Sequence, residues 1–206
     1  AGFFASQNTE LYVGVDPRKE NHPIYREQAD YYEGQLTMFE TMKKVDFYCE
    51  AAEDFYYDGY DDTFDVIFTS PPYFNVERYS HDDNQSWVRY KDIDNWNTQF
   101  LQKALDNMLP TLKSGGKLCI NISDVYSSST GKKNWSKICD PMNEFLDTYT
   151  DMDYRGCIGM EMAKRPNSGG AGTAKDTNQY TEESLQLAKE TKDQRFCEPV
   201  WIWEKK

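Results

Sequence analysis

Short runs of apolar and β-branched residues alternate along this chain with stretches whose apolar positions recur every three to four residues. The first pattern marks buried strands and the second marks amphipathic helices. Strands are expected at Leu11–Asp16, Val45–Cys49, Phe64–Thr69, Lys117–Ile122, Tyr154–Met162 and Cys197–Glu204. Helices are expected at Ile24–Met42, Trp96–Leu112 and Asp140–Tyr149. In the second helix, Phe100, Leu101, Ala104, Leu105 and Met108 recur at helical spacing. Ser114-Gly115-Gly116 reads as its stop, because glycine takes the left-handed C-terminal conformation readily. Pro141 falls near the first turn of the third helix, where a missing N–H is harmless. Trp201 and Trp203 share one face by the strand period of two, most simply as core. Alternation of this kind predicts an α/β fold, a parallel sheet with crossover helices. With no internal repeat, residues 1–206 read as a single domain. A polar stretch at 163–195, holding Ser168-Gly169-Gly170-Ala171-Gly172, separates the last two strands as a surface insert or a functional loop.

Composition narrows the class. The 206 residues are 38% hydrophobic and 15% aromatic, enough to bury a core, so wholesale disorder is excluded. No run approaches the eighteen apolar residues of a membrane span, and the N-terminus has no signal-peptide pattern. Cys49, Cys119, Cys139, Cys157 and Cys197 are odd in number and form no C-x-x-C pair. They read as reduced core thiols of a cytoplasmic protein, with neither a disulfide framework nor a zinc site. Lys and Arg total 23 against 35 Asp and Glu, a net charge of −12. A protein that grips nucleic acid by bulk charge has the opposite balance. Any DNA contact must then be local or helped by another domain or chain. Local cations exist at Arg78, Arg89 and Lys91, at Lys132, Lys133 and Lys137, and at Lys164 and Arg165, where a solvated salt-bridging face is the other reading.

The sharpest chemical feature is the strand Phe64–Thr69 running directly into Ser70-Pro71-Pro72-Tyr73. Open α/β sheets bind ligands at the carboxyl ends of their strands. Two prolines stiffen this turn and leave its carbonyls free to accept hydrogen bonds. The amino group of an aromatic base becomes nucleophilic only when acceptors hold its hydrogens and localise the nitrogen lone pair. The Ser70 hydroxyl oxygen and the Pro71 carbonyl could do this while the Tyr73 ring stacks on the base. A base reaches such a pocket by leaving its duplex.

Ser70-Pro71-Pro72-Tyr73 resembles the catalytic motif of S-adenosylmethionine-dependent DNA amino-methyltransferases, which modify cytosine N4 or adenine N6, and the resemblance extends over most of the chain. It implies a Rossmann-like, doubly wound, mostly parallel sheet with an antiparallel last strand, S-adenosylmethionine as cofactor and DNA as partner. Tyr12-Val13-Gly14-Val15-Asp16-Pro17 is similar to the family's second strand, which assigns Asp16 to the cofactor ribose hydroxyls. Cys49–Phe55 is similar to the loop beside the cofactor adenine, with Glu50 or Glu53 as acceptor. Phe74, Asn75, Glu77, Tyr79, Gln85 and Ser86 occupy the place of a loop that closes over the flipped base. Phe74, Arg78, Arg89, Lys132 and Lys133 are the expected nucleic-acid contacts. Lys113–Ile122 resembles the family's helix–glycine turn–strand, and Glu198–Trp203 its final antiparallel strand. The family's first strand and glycine-rich cofactor loop have no counterpart here, so Gly2–Ser6 is expected to be the helix that follows them. A missing N-terminal segment, the polar stretch Ala163–Arg195 or a second chain is then expected to supply target recognition. The serine that opens the tetrapeptide leans toward cytosine N4. The competing readings are an RNA amino-methyltransferase and a non-catalytic subunit that binds nucleic acid or a partner protein.

Overall fold

A computed structural model describes residues 2–35, 43–127, 134–161 and 197–206. Strands β1 (Leu11–Val15) and β2 (Lys44–Tyr48) pair in parallel, with Leu11 opposite Lys44 and Val15 opposite Tyr48. Strands β3 (Phe64–Thr69), β4 (Leu112–Asn121), β7 (Met152–Glu161) and β8 (Cys197–Lys205) form a second sheet in the order β3-β4-β8-β7. In it β3 and β4 are parallel, while β8 runs against both of its neighbours. A small antiparallel pair, β5 (Val125–Ser127) with β6 (Asn134–Ser136), was not foreseen from the sequence. The mixed α/β architecture, with its antiparallel last strand, agrees with the expectation.

Helix α1 (Gly2–Ala5) precedes β1, and α2 (Asn21–Glu33) crosses from β1 to β2. Helix α2 begins three residues before the expected Ile24, and 36–42 lie outside the described residues. Between β3 and β4 run α3 (Ser86–Arg89), α4 (Ile93–Asn95), a wide π-helical stretch (Trp96–Gln102), α5 (Lys103–Met108) and a 3₁₀ turn (Leu109–Thr111). The apolar spacing of this helical run correctly marks its buried side, where Trp96, Phe100, Leu101, Ala104, Leu105 and Met108 meet the sheet. The same face of the sheet presents Leu112, Leu118, Ile120, Trp201 and Trp203. The two tryptophans are almost wholly buried, as their alternation predicts.

Ser114-Gly115-Gly116 does something other than stop a helix. The helix has already ended in the tight Leu109–Thr111 turn, and the glycines lie inside β4. Phe64 faces Leu112, yet Val66 faces Lys117, so Lys113–Gly116 is looped out of the ladder. Gly115 adopts φ +79°, and a Cβ at Gly116 would meet the Lys113 carbonyl at 2.8 Å. Such a bulge needs glycine for conformation and for space.

Among the described residues, the strand edges without a ladder partner include that of β1 away from β2 and that of β3 away from β4. On β3, Val66 and Phe68 are 59% and 63% exposed, unusual for a strand of this apolar character. The expected contacts Lys132 and Lys133, and the polar insert 163–195, lie outside the described residues.

The last helix, α6 (Cys139–Leu146), gets its N-terminal cap from a distant residue. A buried Asp124 oxygen accepts the N–H groups of Ile138 (2.9 Å) and Cys139 (3.0 Å), and Lys137 pairs with the other oxygen at 2.8 Å. Unmet N–H groups at a helix start are costly when buried. Asp124→Ala is expected to destabilise the fold by about 1–3 kcal/mol, with Asp124→Asn recovering part of the loss. Urea denaturation checks this, and an unchanged midpoint for Asp124→Ala would contradict it.

Candidate active site

Strand register builds the Ser70–Tyr73 turn. Thr69, the last residue of β3, sits opposite Ile120, and Asn121 on β4 sits opposite Val200 on β8. Ser70 therefore emerges beside Asn121. The Ser70 Oγ donates to Asn121 Oδ1 at 3.4 Å, and Asn121 Nδ2 donates to the Pro199 carbonyl at 3.1 Å. The second bond fixes which way the buried Asn121 amide points. With its proton directed at Asn121, the Ser70 oxygen keeps lone pairs for an incoming donor. Among the described residues, no donor takes the Pro71 carbonyl, whereas the Pro72 carbonyl accepts the Phe74 N–H at 2.9 Å.

The residues after the prolines turn back toward the protein. Phe74 adopts φ +46°, a strained conformation for a bulky side chain. Its ring is buried edge-on against Trp96, with centroids 6.2 Å apart. The expected nucleic-acid contact Phe74 is thus a core residue here, since the left-handed backbone aims its ring inward. Glu77 accepts the Tyr73 N–H at 3.1 Å, closing the turn. The Tyr73 hydroxyl donates to Glu198 on β8 at 3.3 Å. Burial first, then the Glu198 carboxylate, push the Tyr73 phenol well above its ordinary pKa, so it remains a donor at neutral pH.

A cavity of about 530 Å³ opens between the carboxyl ends of β1 and β3, within the usual size of small-molecule sites. Gly14, Val15, Asp16 and Pro17 form one side, and Thr69, Ser70, Pro71 and Pro72 the other. Phe100, Leu101, Ala104, Leu105 and Met108 supply an apolar surface. Tyr73 is not among the lining residues.

Asp16 is held as an acceptor. Its carboxylate receives hydrogen bonds from the Arg18 N–H (2.8 Å), Asn21 Nδ2 (2.9 Å) and the Tyr25 hydroxyl (2.5 Å). Burial raises its pKa, but Tyr25, Asn21 and Arg18 outweigh that and hold the carboxyl below its ordinary value. Of the two candidate adenine acceptors, Glu50 is exposed and outside the cavity lining. Glu53 lines the cavity but is engaged, accepting Arg89 Nη1 at 2.7 Å and the Tyr90 hydroxyl at 3.1 Å. Burial raises its pKa despite the Arg89 charge.

The cations divide in the same way. Arg89 also contacts Asp54 at 2.7 Å, so two carboxylates of the chain, the buried Glu53 and the exposed Asp54, meet its charge. Arg78 is exposed, with its guanidinium 5.1 Å from the centre of the Trp87 ring, and Lys91 lies 5.3 Å from the same ring. In the sequence alone, Asn121, Glu198 and Tyr25 are distinguished only as parts of a strand or helix. Asn121 and Glu198 are polar residues at strand ends, which is the signal that points to them once the strand order is known. Among the described residues no cluster of His, Cys, Asp and Glu could hold a metal, and no helix is long and apolar enough to cross a membrane.

Comparison with solved structures gives the following matches. The MccD protein superposes with a TM-score of 0.50 at 13% identity, covering 96% of this chain and 80% of its own. A candidate DNA modification methylase from Thermus thermophilus, complexed with S-adenosyl-L-methionine, matches at 16% identity and a TM-score of 0.45. That match covers 76% of this chain, which spans 53% of the methylase's length. A SAM-dependent methyltransferase from Methanosarcina mazei matches at 12% identity and a TM-score of 0.46, covering 95% of this chain and 82% of its own. No curated protein matches the sequence at a significant level. A protein-family model, DNA methylase, matches residues 64–205, from the first residue of β3 through the last strand. The Ser70–Tyr73 turn, the helical run behind it and the four-stranded sheet all fall inside that match, and the chain belongs to the DNA methylase family.

Proposed function

We propose that this chain is the catalytic domain of an S-adenosylmethionine-dependent DNA methyltransferase acting on an exocyclic amino group, cytosine N4 or adenine N6, of a flipped base. The observation that carries this reading is the Ser70–Asn121 pair at the rim of the cavity. A hydroxyl whose proton is already committed accepts an amino hydrogen without competing for it. Ser70 Oγ and the Pro71 carbonyl take the two hydrogens of the target amino group and localise its lone pair. Tyr73, tethered at its hydroxyl by Glu198, stacks on the base.

The cavity suits the cofactor. The apolar wall from Phe100 to Met108 takes a flat heterocycle, and Asp16, with donors on only part of its four acceptor positions, takes ribose hydroxyls. When bound, S-adenosylmethionine supplies an electrophilic sulfonium methyl; the protein supplies alignment and acceptors. Arg78 and Lys91 on the exposed loop meet DNA phosphates, while Arg89, tied to Glu53 and Asp54, holds the loop in place. Cytosine N4 is the first target to test.

We also propose that a further parallel strand, from another segment of the natural protein or from a second chain, lies between β1 and β3. The support is the open outer edges of β1 and β3, whose carboxyl ends flank the cavity, and the exposed Val66 and Phe68 on β3. In the intact protein, the edge-facing amide protons of Phe64–Thr69 should resist hydrogen exchange as a paired strand does. Rapid exchange there would contradict the proposal, and the mass of the particle in solution tells one chain from two.

Incubation of DNA with the intact protein and methyl-labelled cofactor, followed by mass analysis of nucleosides, tests the activity. Labelled N4-methylcytosine or N6-methyladenine is expected, and label in neither would refute the reading. Pro71→Ala and Tyr73→Ala should lose methyl transfer while keeping cofactor binding and fold. Base stacking on an aromatic side chain is worth ~1–3 kcal/mol, and turnover and calorimetry on one preparation separate the effects. Asp16→Ala should weaken cofactor binding by ~1.5–3 kcal/mol, the range for hydrogen bonds to a charged group. An unchanged dissociation constant would return Asp16 to a structural role at the strand end.

A further inference from the structure

The loop after the catalytic turn bears a polar patch that faces the cavity instead of solvent. Gln85 and Ser86 are 6% and 7% exposed and both line the cavity wall. The Ser86 Oγ is buried with no hydrogen-bond partner among the described residues. Such groups are rare in folded proteins, because an unpaired buried hydroxyl forfeits its bonds to water. The Gln85 side chain makes one long contact, Nε2 to Asn84 Oδ1 at 3.5 Å, and so has unused donor and acceptor capacity.

The patch is fixed at both ends. Before it, Asn84 Nδ2 donates to the Pro17 carbonyl at 2.9 Å, one residue beyond Asp16. After it, Arg89 and Tyr90 converge on Glu53 in the segment that follows β2. Within it, the Gln85 N–H reaches the Asp82 carbonyl at 3.0 Å, and the Gln85 carbonyl accepts from Val88 and Arg89. Both anchors belong to the segments that follow β1 and β2, on the Asp16 side of the cavity.

We infer that Gln85 and Ser86 are cofactor-binding residues, forming a polar wall that hydrogen-bonds S-adenosylmethionine, and that Glu53 acts as the positioning residue that holds this wall through Arg89. The inference rests on the cavity being the cofactor site. A hydroxyl and a carboxamide together offer donors and acceptors to a ligand edge that carries both. They would otherwise close over the flipped base, but their anchoring to Pro17 and Glu53 places them with the cofactor.

The test is calorimetric titration of the intact protein with S-adenosylmethionine in the absence of DNA, paired with thermal melting of the ligand-free protein. Ser86→Ala should bind about tenfold more weakly, the effect of one well-made hydrogen bond. Its ligand-free melting temperature should hold or rise, because the variant removes an unpaired buried group. Arg89→Ala, at a residue that does not line the cavity, should also weaken binding severalfold. If the wild type binds and Ser86→Ala binds equally well, the polar wall is refuted while the cofactor site stands. A lower melting temperature with unchanged affinity would assign Ser86 to packing and refute it too. Failure of the wild type to bind would overturn the cofactor site and the wall together. Unchanged affinity in Arg89→Ala would refute the positioning role of Glu53.

Discussion

The parallel pairing of β3 with β4 is the constraint on which the rest of the site depends. Parallel strands end on the same side of a sheet, and the Thr69–Ile120 register brings the next residue of each, Ser70 and Asn121, within reach. Because β8 runs antiparallel to β4, its first residues arrive at that same edge. Pro199 then accepts from Asn121 and Glu198 accepts from Tyr73. Strand β3 delivers the turn, and β4 and β8 hold two of its positions, Ser70 and Tyr73. The bulge at Lys113–Gly116 serves this register, since it lets Phe64 pair with Leu112 while Val66 pairs with Lys117. The two prolines add stiffness within the turn, and the strained Phe74 backbone, secured by Trp96, sends the chain back toward the core.

Electrostatics follow from burial more than from net charge. The chain carries −12 overall, and several of its cations near the site are bound internally. Arg89 meets Glu53 and Asp54, and Lys103 also meets Asp54. Of these residues only Glu53 lines the cavity, and the pairs leave less free positive charge to attract a polyanion. Arg78 and Lys91 over Trp87 are exceptions on the outer loop. DNA affinity from this surface would be modest and strongly salt-dependent, consistent with help from a further segment or chain in positioning the substrate.

Much of the fold was legible in the alternation of apolar runs. Phe64–Thr69 matches its strand at both ends, and the other five expected strands are present with boundaries shifted by up to five residues. The start of β4 was misplaced because Gly115-Gly116 carries the same local signal for a helix stop as for a bulge; only the pairing with β3 tells them apart. The β5–β6 pair escaped notice because three-residue strands leave no period to detect. For the candidate site, the cavity-lining Ser70, Pro71, Pro72 and Asp16 stood out because a strand end followed by proline or acid is a local pattern. The tether of Tyr73 to Glu198, 125 residues away in sequence, is set by strand order and was not. Phe74 was misread as a nucleic-acid contact because its inward direction comes from a left-handed backbone that residue type does not announce.

The central claim is that the cavity between β1 and β3 presents a methyl donor to the Ser70–Tyr73 turn. A crystal structure of the intact protein with S-adenosylhomocysteine bound tests it most directly. The account predicts the ribose hydroxyls on the Asp16 carboxylate, the adenine against the Phe100–Met108 wall, and the sulfur facing Pro71. A ligand bound away from this cavity, or with its sulfur turned from the Ser70 rim, would contradict it.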